Sequence, residues 1–181
     1  MTQMGHLITG TALGVASLPR QHSRGAQALH LIIFAILGTI PDWSLHNWGH
    51  ERYYFSHSLF VSLVPIAATL FLFLFLPDAR RKIGGWPVLF TAALAWLSHL
   101  LLDSFYNHGY GIAIFWPYSE ARLILPIPWL AVAPGSAFPP TPAKLREVFL
   151  ELATFSPLIV LGWMARRGWI FLRTRKAARE S

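Results

Sequence analysis

Apolar residues in this chain form five long segments that are separated by short polar stretches. They cover about residues 5–18, 26–40, 59–76, 86–105 and 149–165. The third is the clearest, because eighteen consecutive residues from Leu59 to Leu76 carry no charge, which is long enough to cross a hydrocarbon core. All five predict helices, since a backbone in lipid must satisfy its own hydrogen bonds. The pattern therefore predicts an all-α, polytopic membrane helix bundle of about five helices.

The first two segments are short for membrane spans, so we expect them either to tilt or to sit inside the bundle. Small residues such as Gly10 and Gly14 give the first segment a thin face that would let a neighbouring helix approach closely. Nothing before Leu18 looks like a cleavable signal peptide, because the start of the chain lacks a basic region. We interpret residues 1–181 as a single integral membrane domain.

A proline-rich stretch between the fourth and fifth segments, about residues 109–142, is apolar but unsuited to a spanning helix. Its seven prolines are Pro117, Pro126, Pro128, Pro134, Pro139, Pro140 and Pro142. It also contains Trp116 and Trp129, and tryptophan favours headgroup depth. We therefore predict an interfacial or re-entrant cover, which is either a lid over a site or a plain interfacial loop. A C-terminal helix and a basic tail, about residues 143–181, follow it.

Composition agrees with a membrane protein, since 54% of the residues are hydrophobic and the mean hydropathy is +0.45. A net charge of +7 would suggest a nucleic-acid partner in a soluble protein, but here the basic residues lie in short loops beside the apolar segments. If all five segments cross, eleven Lys and Arg residues lie on one side and four on the other. The positive-inside rule then predicts a multi-pass inner-membrane protein with its N-terminus outside and its C-terminus in the cytoplasm, in contact with the lipid bilayer and not with nucleic acid.

Five His and Asp residues stand at ends of the apolar segments, and the same topology places all of them at the outer face. They are His6, Asp42, His57, His99 and Asp103. The topology was derived from Lys and Arg alone, so this convergence is independent support for a shared site. Ionisable groups at membrane depth are costly and are usually functional. Because the chain contains no cysteine, a metal here would have to be held by imidazole and carboxylate groups.

His99 and Asp103 are four residues apart, which places both side chains on one helix face. Such a pair either clamps a metal or forms a simple hydrogen bond within the bundle. Imidazole nitrogen with carboxylate oxygen suits zinc foremost, and also manganese, iron or cobalt. His57 follows Ser56 and precedes Ser58, and either serine can cap the next helix. Asp42 follows Pro41. Considered without the other four residues, this carboxylate could equally cap a helix end.

The loop between Asp42 and His57 carries further candidates, His46, His50 and Arg52. A guanidinium beside a metal would clamp a phosphate or stabilise a developing oxyanion, although it could equally bind lipid headgroups. We take Arg52 and His50 as candidate catalytic residues. His108 would ligate a second metal or lie in a turn. His22 and His30 fall near the opposite side and are expected to be bystanders.

The order of these motifs resembles that of the YdjM-like membrane proteins, which are described as metal-dependent hydrolases. The resemblance covers roughly residues 1–120 and rests on an N-terminal His followed by Gly, Pro-Asp, His-Ser, and HLLLD followed by Gly and Trp-Pro. The matching positions are His6, Gly10, Pro41, Asp42, His57, Ser58, His99, Asp103, Gly109, Trp116 and Pro117. The order is also similar to that of zinc-dependent phospholipase C and the related single-strand nucleases.

The resemblance implies that Asp42, His57, His99 and Asp103 hold one metal, with His6 and a bridging Asp103 contributing to a second. Two places depart from the family pattern: its second acid after Pro-Asp is Ser44 here, and its His-Arg is His50, Glu51 and Arg52. These departures concern a multinuclear site more than the first metal.

Three functions follow as hypotheses. The first is a membrane-bound hydrolase acting on a phosphoester or lipid-linked substrate at the outer face of the inner membrane. The second is a non-catalytic membrane protein with a structural metal or polar cluster. A metal transporter ranks last, because the ionisable residues, apart from His22 and His30, lie at one face rather than along a path through the bilayer.

Overall fold

The structure, a computed structural model, describes residues 4–43, 55–105, 111–125 and 140–180. These residues form seven α-helices and a single 3-10 turn, Ile40–Asp42, and they contain no β-strand beyond an isolated bridge between Ile112 and Leu123. The helices are α1 Met4–Ser17, α2 Arg24–Thr39, α3 Leu59–Phe75, α4 Pro77–Ile83, α5 Trp86–Phe105, α6 Pro142–Phe155 and α7 Pro157–Glu180. The predicted all-α architecture is confirmed.

Three helical stretches are long and apolar enough to cross a membrane: Arg24–Asp42, Trp86–Phe105 and Pro142–Leu172. A fourth candidate is the pair α3 and α4, which bends by 112° at the break between the two helices. Pro77 stands in the first turn of α4, where its missing N–H costs nothing, so a new helix can begin in a new direction. Four of the five apolar segments predicted from the sequence therefore lie in candidate membrane spans, and the first, which forms α1, does not.

The short helix α1 lies inside this bundle, packed against α2, α5, α6 and α7. Glycines permit backbone-to-backbone contact here, because a Cβ atom on Gly10 would lie 2.3 Å from the Phe34 carbonyl oxygen. A Cβ atom on Gly162 of α7 would likewise lie 2.3 Å from the Ala12 carbonyl oxygen. The thin face predicted for the first segment is confirmed, and close packing of this kind is a main source of helix association in lipid.

The fifth apolar segment differs from its predicted form. It was expected as one helix over about residues 149–165, but the structure has α6 and α7 with a break at Ser156, and together they extend further in both directions. Thr141 caps the start of α6 by accepting a hydrogen bond from the Lys144 amide, and Pro142 occupies the first turn. Pro157 begins α7, because proline has no N–H with which to continue the previous helix.

The two ends of the bundle have different chemistry. At one end, which we call the basic end, the Arg166 Nε donates to the Leu18 carbonyl over 2.9 Å, and His22 Nε2 donates to the Lys82 carbonyl over 2.9 Å. At the other end, the Gly5 amide donates to Glu151 Oε2 over 3.0 Å. The basic loops before α2 and α5 and beside α7 thus meet at one end, as the charge pattern predicted. Which end faces the cytoplasm stays a prediction.

Part of the predicted proline-rich cover packs on the start of α3. The Leu59 amide donates to the Ile114 carbonyl over 2.9 Å, and the Ser58 hydroxyl donates to the Trp116 carbonyl. Ile112 is buried at 2% exposure. Residues 126–139, which include Trp129 and most of the prolines, lie outside the described residues, so a lid function stays a prediction.

Candidate metal centre

All five residues predicted as metal ligands meet at the end of the bundle opposite the basic end. His6 comes from the first turn of α1, Asp42 ends the 3-10 turn after α2, and His57 lies two residues before the start of α3. His99 and Asp103 are one turn apart on α5. Residues distant in the sequence are brought together because the helices that carry them pack around the outer part of α1 and α5.

Four of these residues place one ligand atom each within 4.8 Å of all the others: Asp42, His57, His99 and Asp103. The Nε2 atoms of His57 and His99 are 3.2 Å apart. Asp103 Oδ2 lies 2.9 Å from His57 Nε2 and 3.2 Å from His99 Nε2, and Asp42 Oδ1 lies 3.5 Å from each nitrogen. A tetrahedral site with zinc–ligand bonds of 2.0 to 2.1 Å has ligand atoms about 3.3 Å apart. The cluster can therefore hold a metal ion.

The cluster is removed from solvent. His99 and Asp103 have side-chain exposures of 0%, His57 of 1% and Asp42 of 11%. Two carboxylates at this depth require nearby positive charge, because burying an uncompensated charge is costly. Burial lowers the pKa of His57, but its hydrogen bonds to Asp103 and Asp42 raise that pKa, and the net result lies above its ordinary value. His57 Nε2 thus faces a site that favours a cation, which is either a proton or a metal ion.

Hydrogen bonds outside the cluster orient both imidazoles. His99 Nδ1 lies 2.8 Å from the Gly38 carbonyl oxygen, which can only accept, so the proton resides on Nδ1 and the Nε2 lone pair points into the cluster. His57 Nδ1 lies 2.8 Å from the Ser56 hydroxyl oxygen. Metal-binding histidines usually carry such a partner on the second ring nitrogen, which fixes the tautomer and the ring orientation.

His6 approaches the cluster from the other side of the two carboxylates. Its Nε2 lies 3.0 Å from Asp103 Oδ1 and 3.7 Å from Asp42 Oδ2, which are the oxygens that do not face His57 and His99. Its ring stacks on His99 with 3.7 Å between centroids. Each carboxylate therefore presents one oxygen to His6 and the other to His57 and His99, an arrangement in which each carboxylate can bridge two ions.

Comparison with protein families identifies a match over residues 1–171 to the family described as YdjM inner membrane protein. The chain belongs to the YdjM inner membrane protein family. The match extends beyond the roughly 120 residues that carried the sequence resemblance and includes most of α7. Comparisons with curated proteins and with solved structures found no match. Family membership and the three long apolar helical stretches both indicate that this YdjM protein is a membrane protein.

Some neighbours of the cluster in this YdjM protein were not predicted. Glu151 of α6 is 2% exposed and accepts a hydrogen bond from the amide of Gly5, the residue before His6. The carboxylate of Glu151 could have been recognised from the sequence, because an ionisable group inside an apolar membrane segment is costly and usually has a function. The Gly38 carbonyl could not be found in the same way, since a main-chain acceptor leaves no trace in the side-chain pattern.

The other sequence candidates fall into two groups. His46, His50, Arg52 and His108 lie outside the described residues, so their predicted roles stay predictions. His22 and His30 lie toward the basic end, away from the cluster, as expected. His30 is structural there: its Nε2 lies 3.1 Å from the Gly14 carbonyl oxygen, and its ring stacks on Phe34.

Proposed function

We propose that this YdjM family protein is a membrane-bound metal-dependent hydrolase, with zinc as the first candidate metal and manganese or iron as alternatives. The proposed ligands are Asp42, His57, His99 and Asp103. The observation that carries this proposal is the set of five ligand-atom separations between 2.9 and 3.5 Å, because they agree with the spacing that a tetrahedral zinc ion requires.

The His6 side of the cluster supports catalysis in addition to metal binding. Asp103 Oδ1 and Asp42 Oδ2 face His6 Nε2, which makes a second, three-residue ligand set in which a metal would keep open coordination positions. A divalent metal in such a site activates water at neutral pH and neutralises charge on a phosphoryl oxygen. His6 Nε2 and one oxygen of each carboxylate would hold this second metal, which leaves proton transfer from the attacking water to groups outside the ligand set.

A phosphoester or lipid-linked phosphate is the proposed substrate class. The cluster lies at the ends of membrane-spanning helices, close to the depth at which lipid headgroups sit. Following the charge distribution, we place this end at the outer face of the inner membrane, with the N-terminus outside and the C-terminus in the cytoplasm. Arg52 and His50, in the segment between Asp42 and His57, are the proposed catalytic partners, and a guanidinium there would stabilise charge on the phosphoryl oxygens.

A structural metal is the second candidate function, and one observation favours it. Four protein ligands around one ion, three of them with side chains no more than 1% exposed, resemble the closed shell of a structural zinc site more than a catalytic one. In that case the metal would join the ends of α2, α3 and α5 and contribute its binding energy to folding. The two candidates differ in whether metal-loaded protein turns over a phosphoester.

Metal content and hydrolysis should be measured on the same detergent-purified protein. We expect one or two zinc ions per chain by mass spectrometry, lost in a His99→Ala, Asp103→Ala double variant, and hydrolysis of a panel of phospholipids that stops when metal is chelated. Ser98→Ala is the matched control, because the Ser98 hydroxyl bonds to its own helix at Ala95. Metal without hydrolysis would support the structural alternative, and the absence of metal after reconstitution would refute both.

A further inference from the structure

A basic pocket lies at the end of the bundle opposite the metal centre. Its volume is about 760 Å³, and Arg20, Arg81 and Lys82 line it together with the indole of Trp169. Arg20 and Lys82 have no acidic partner among the residues that the structure describes, and Arg81 meets Asp78 only across an exposed 3.8 Å contact. The pocket therefore offers positive charge that nothing in the described part of the chain neutralises.

An apolar groove begins where this pocket ends. It has a volume of about 650 Å³ and lies between α5 and α7, which both pack on α1 but have little direct contact with each other among the described residues. Small residues of α1, Ala12 and Ala16, form its floor, and leucines such as Leu97 and Leu161 form its walls. Its lining is almost entirely carbon, and it opens toward the surface that faces lipid.

The groove and the basic pocket are adjacent, because Ala16 and Ala165 line both, and we treat the two together as one candidate cavity. From Ala16 the groove follows α1 to Thr9, a rise of about 10 Å, which is most of the depth of one leaflet's hydrocarbon. A charged end at the membrane surface, joined to an apolar track of nearly leaflet depth, matches the shape of a lipid.

We propose that this cavity binds one anionic glycerophospholipid from the leaflet at the basic end. Its phosphate would lie among Arg20, Arg81 and Lys82, its glycerol region beside Trp169, and one acyl chain along the groove. Basic pockets between membrane helices are known to recognise anionic headgroups, and tryptophan favours the same interface. The site is separate from the metal centre and does not depend on its proposed function.

A helix from a second copy is the main alternative occupant, and charge argues against it. A symmetric dimer through this groove, with both copies in the same membrane orientation, would bring the two basic pockets together. Like charges placed opposite one another at an interface are unfavourable. An anionic lipid instead neutralises the same residues, so charge complementarity favours the lipid.

Native mass spectrometry of the full-length protein in detergent, titrated with dioleoylphosphatidylglycerol or dioleoylphosphatidylcholine, tests the proposal. We expect one phosphatidylglycerol to bind more tightly than phosphatidylcholine. An Arg81→Gln, Lys82→Gln variant should bind phosphatidylglycerol more weakly by about fivefold for each residue removed. The matched control is Lys144→Gln, Arg146→Gln, which removes one lysine and one arginine from α6 and should leave phosphatidylglycerol binding unchanged.

A second pair of variants tests the groove. Ala165→Phe places a ring in the groove at an exposed position, and Ala68→Phe places the same ring on the exposed surface of α3 as its control. Only Ala165→Phe should reduce lipid binding, and all four variants should keep the melting temperature of the wild type in detergent, which reports that the fold is intact. Equal binding of the two lipids, equal effects of variant and control, or a dimer that Ala165→Phe abolishes would overturn the proposal.

Discussion

Replacement of Ser56 by alanine should weaken metal binding without removing any ligand. Ser56 is 2% exposed, and its hydroxyl oxygen lies 2.8 Å from His57 Nδ1. When Nε2 of His57 binds a metal, the imidazole proton must reside on Nδ1, and Ser56 is then its acceptor. The Ser56→Ala variant would leave that buried N–H without a partner. A buried donor of this kind costs about 1 to 3 kcal/mol.

At a pH above the raised pKa of His57, where the metal-free imidazole is neutral, this cost is specific to the metal-bound state and therefore lowers metal affinity. In metal-free protein the remaining proton can reside on Nε2 instead, where Asp103 Oδ2 accepts it over 2.9 Å. The unpaired donor therefore appears only when the metal binds, and an increase of about 1 to 3 kcal/mol corresponds to an affinity loss of about 5- to 150-fold. Loss of an outer partner at known metal sites costs about 10- to 100-fold, which agrees with this range.

Zinc affinity should be measured by competition with a chromophoric chelator, comparing wild type, Ser56→Ala and Ser104→Ala. Ser104 is the matched control, because it is 1% exposed and adjacent to Asp103, while its hydroxyl bonds to the Leu101 carbonyl within its own helix. If Ser56→Ala binds zinc within about twofold of the wild type, or if Ser104→Ala loses as much affinity, the assignment of His57 Nε2 as a metal ligand is wrong.

Four further perturbations test the packing, the metal and the orientation. Gly38→Ala should lower the melting temperature in detergent, because its Cβ would lie 2.5 Å from the His6 carbonyl oxygen, whereas Gly25→Ala on the same helix meets nothing within 4 Å and should not. Chelation should also lower the melting temperature, since metal at about one hundred times its Kd stabilises the folded state by about 2.7 kcal/mol; unchanged melting would count against a bound metal. In protein that holds two metal ions, His6→Ala should reduce the content to one, and complete loss would contradict a separate four-ligand site. A phosphatase that is active only outside the cytoplasm, fused after Ser181, should be inactive in intact cells. Activity would show that the assigned orientation is wrong.

The helices that carry the site could be predicted well because their apolar runs are long and uninterrupted. The predicted bounds of α5 agree with the structure, and those of α3 differ by one residue. Convergence of the ligands was also predictable, since alternate crossings return the chain to the same face each time and His6, Asp42 and Asp103 fall near those returns. Segment ends and charge counts, which are local properties of the sequence, are sufficient to predict that the ligands converge.

The features that escaped prediction depend on tertiary contacts. The break at Ser156 divides what reads as one apolar segment, and Pro157 is compatible with either a kink or a new helix. Orientation of the His99 ring depends on the Gly38 carbonyl, which lies in the last turn of α2, where carbonyl groups lack partners within the helix. Glu151 was overlooked because a single acid in an apolar segment can have several roles. Its role becomes clear only when its partner, the Gly5 amide, is known.

The position of α3 connects the two candidate functions of the metal. Among the described helices α3 contacts mainly α5 and its neighbour α4, and much of its surface faces outward, with Val64 at 67% exposure. His57, at the start of α3, meets His99 and Asp103 of α5 within the cluster. A metal held there would connect the end of α3 that follows His57 to the rest of the bundle. Since Trp116 contacts the same helix start through Ser58, loading of the metal would also position the part of the proline-rich stretch around Trp116. Structural and catalytic roles can therefore belong to the same ion.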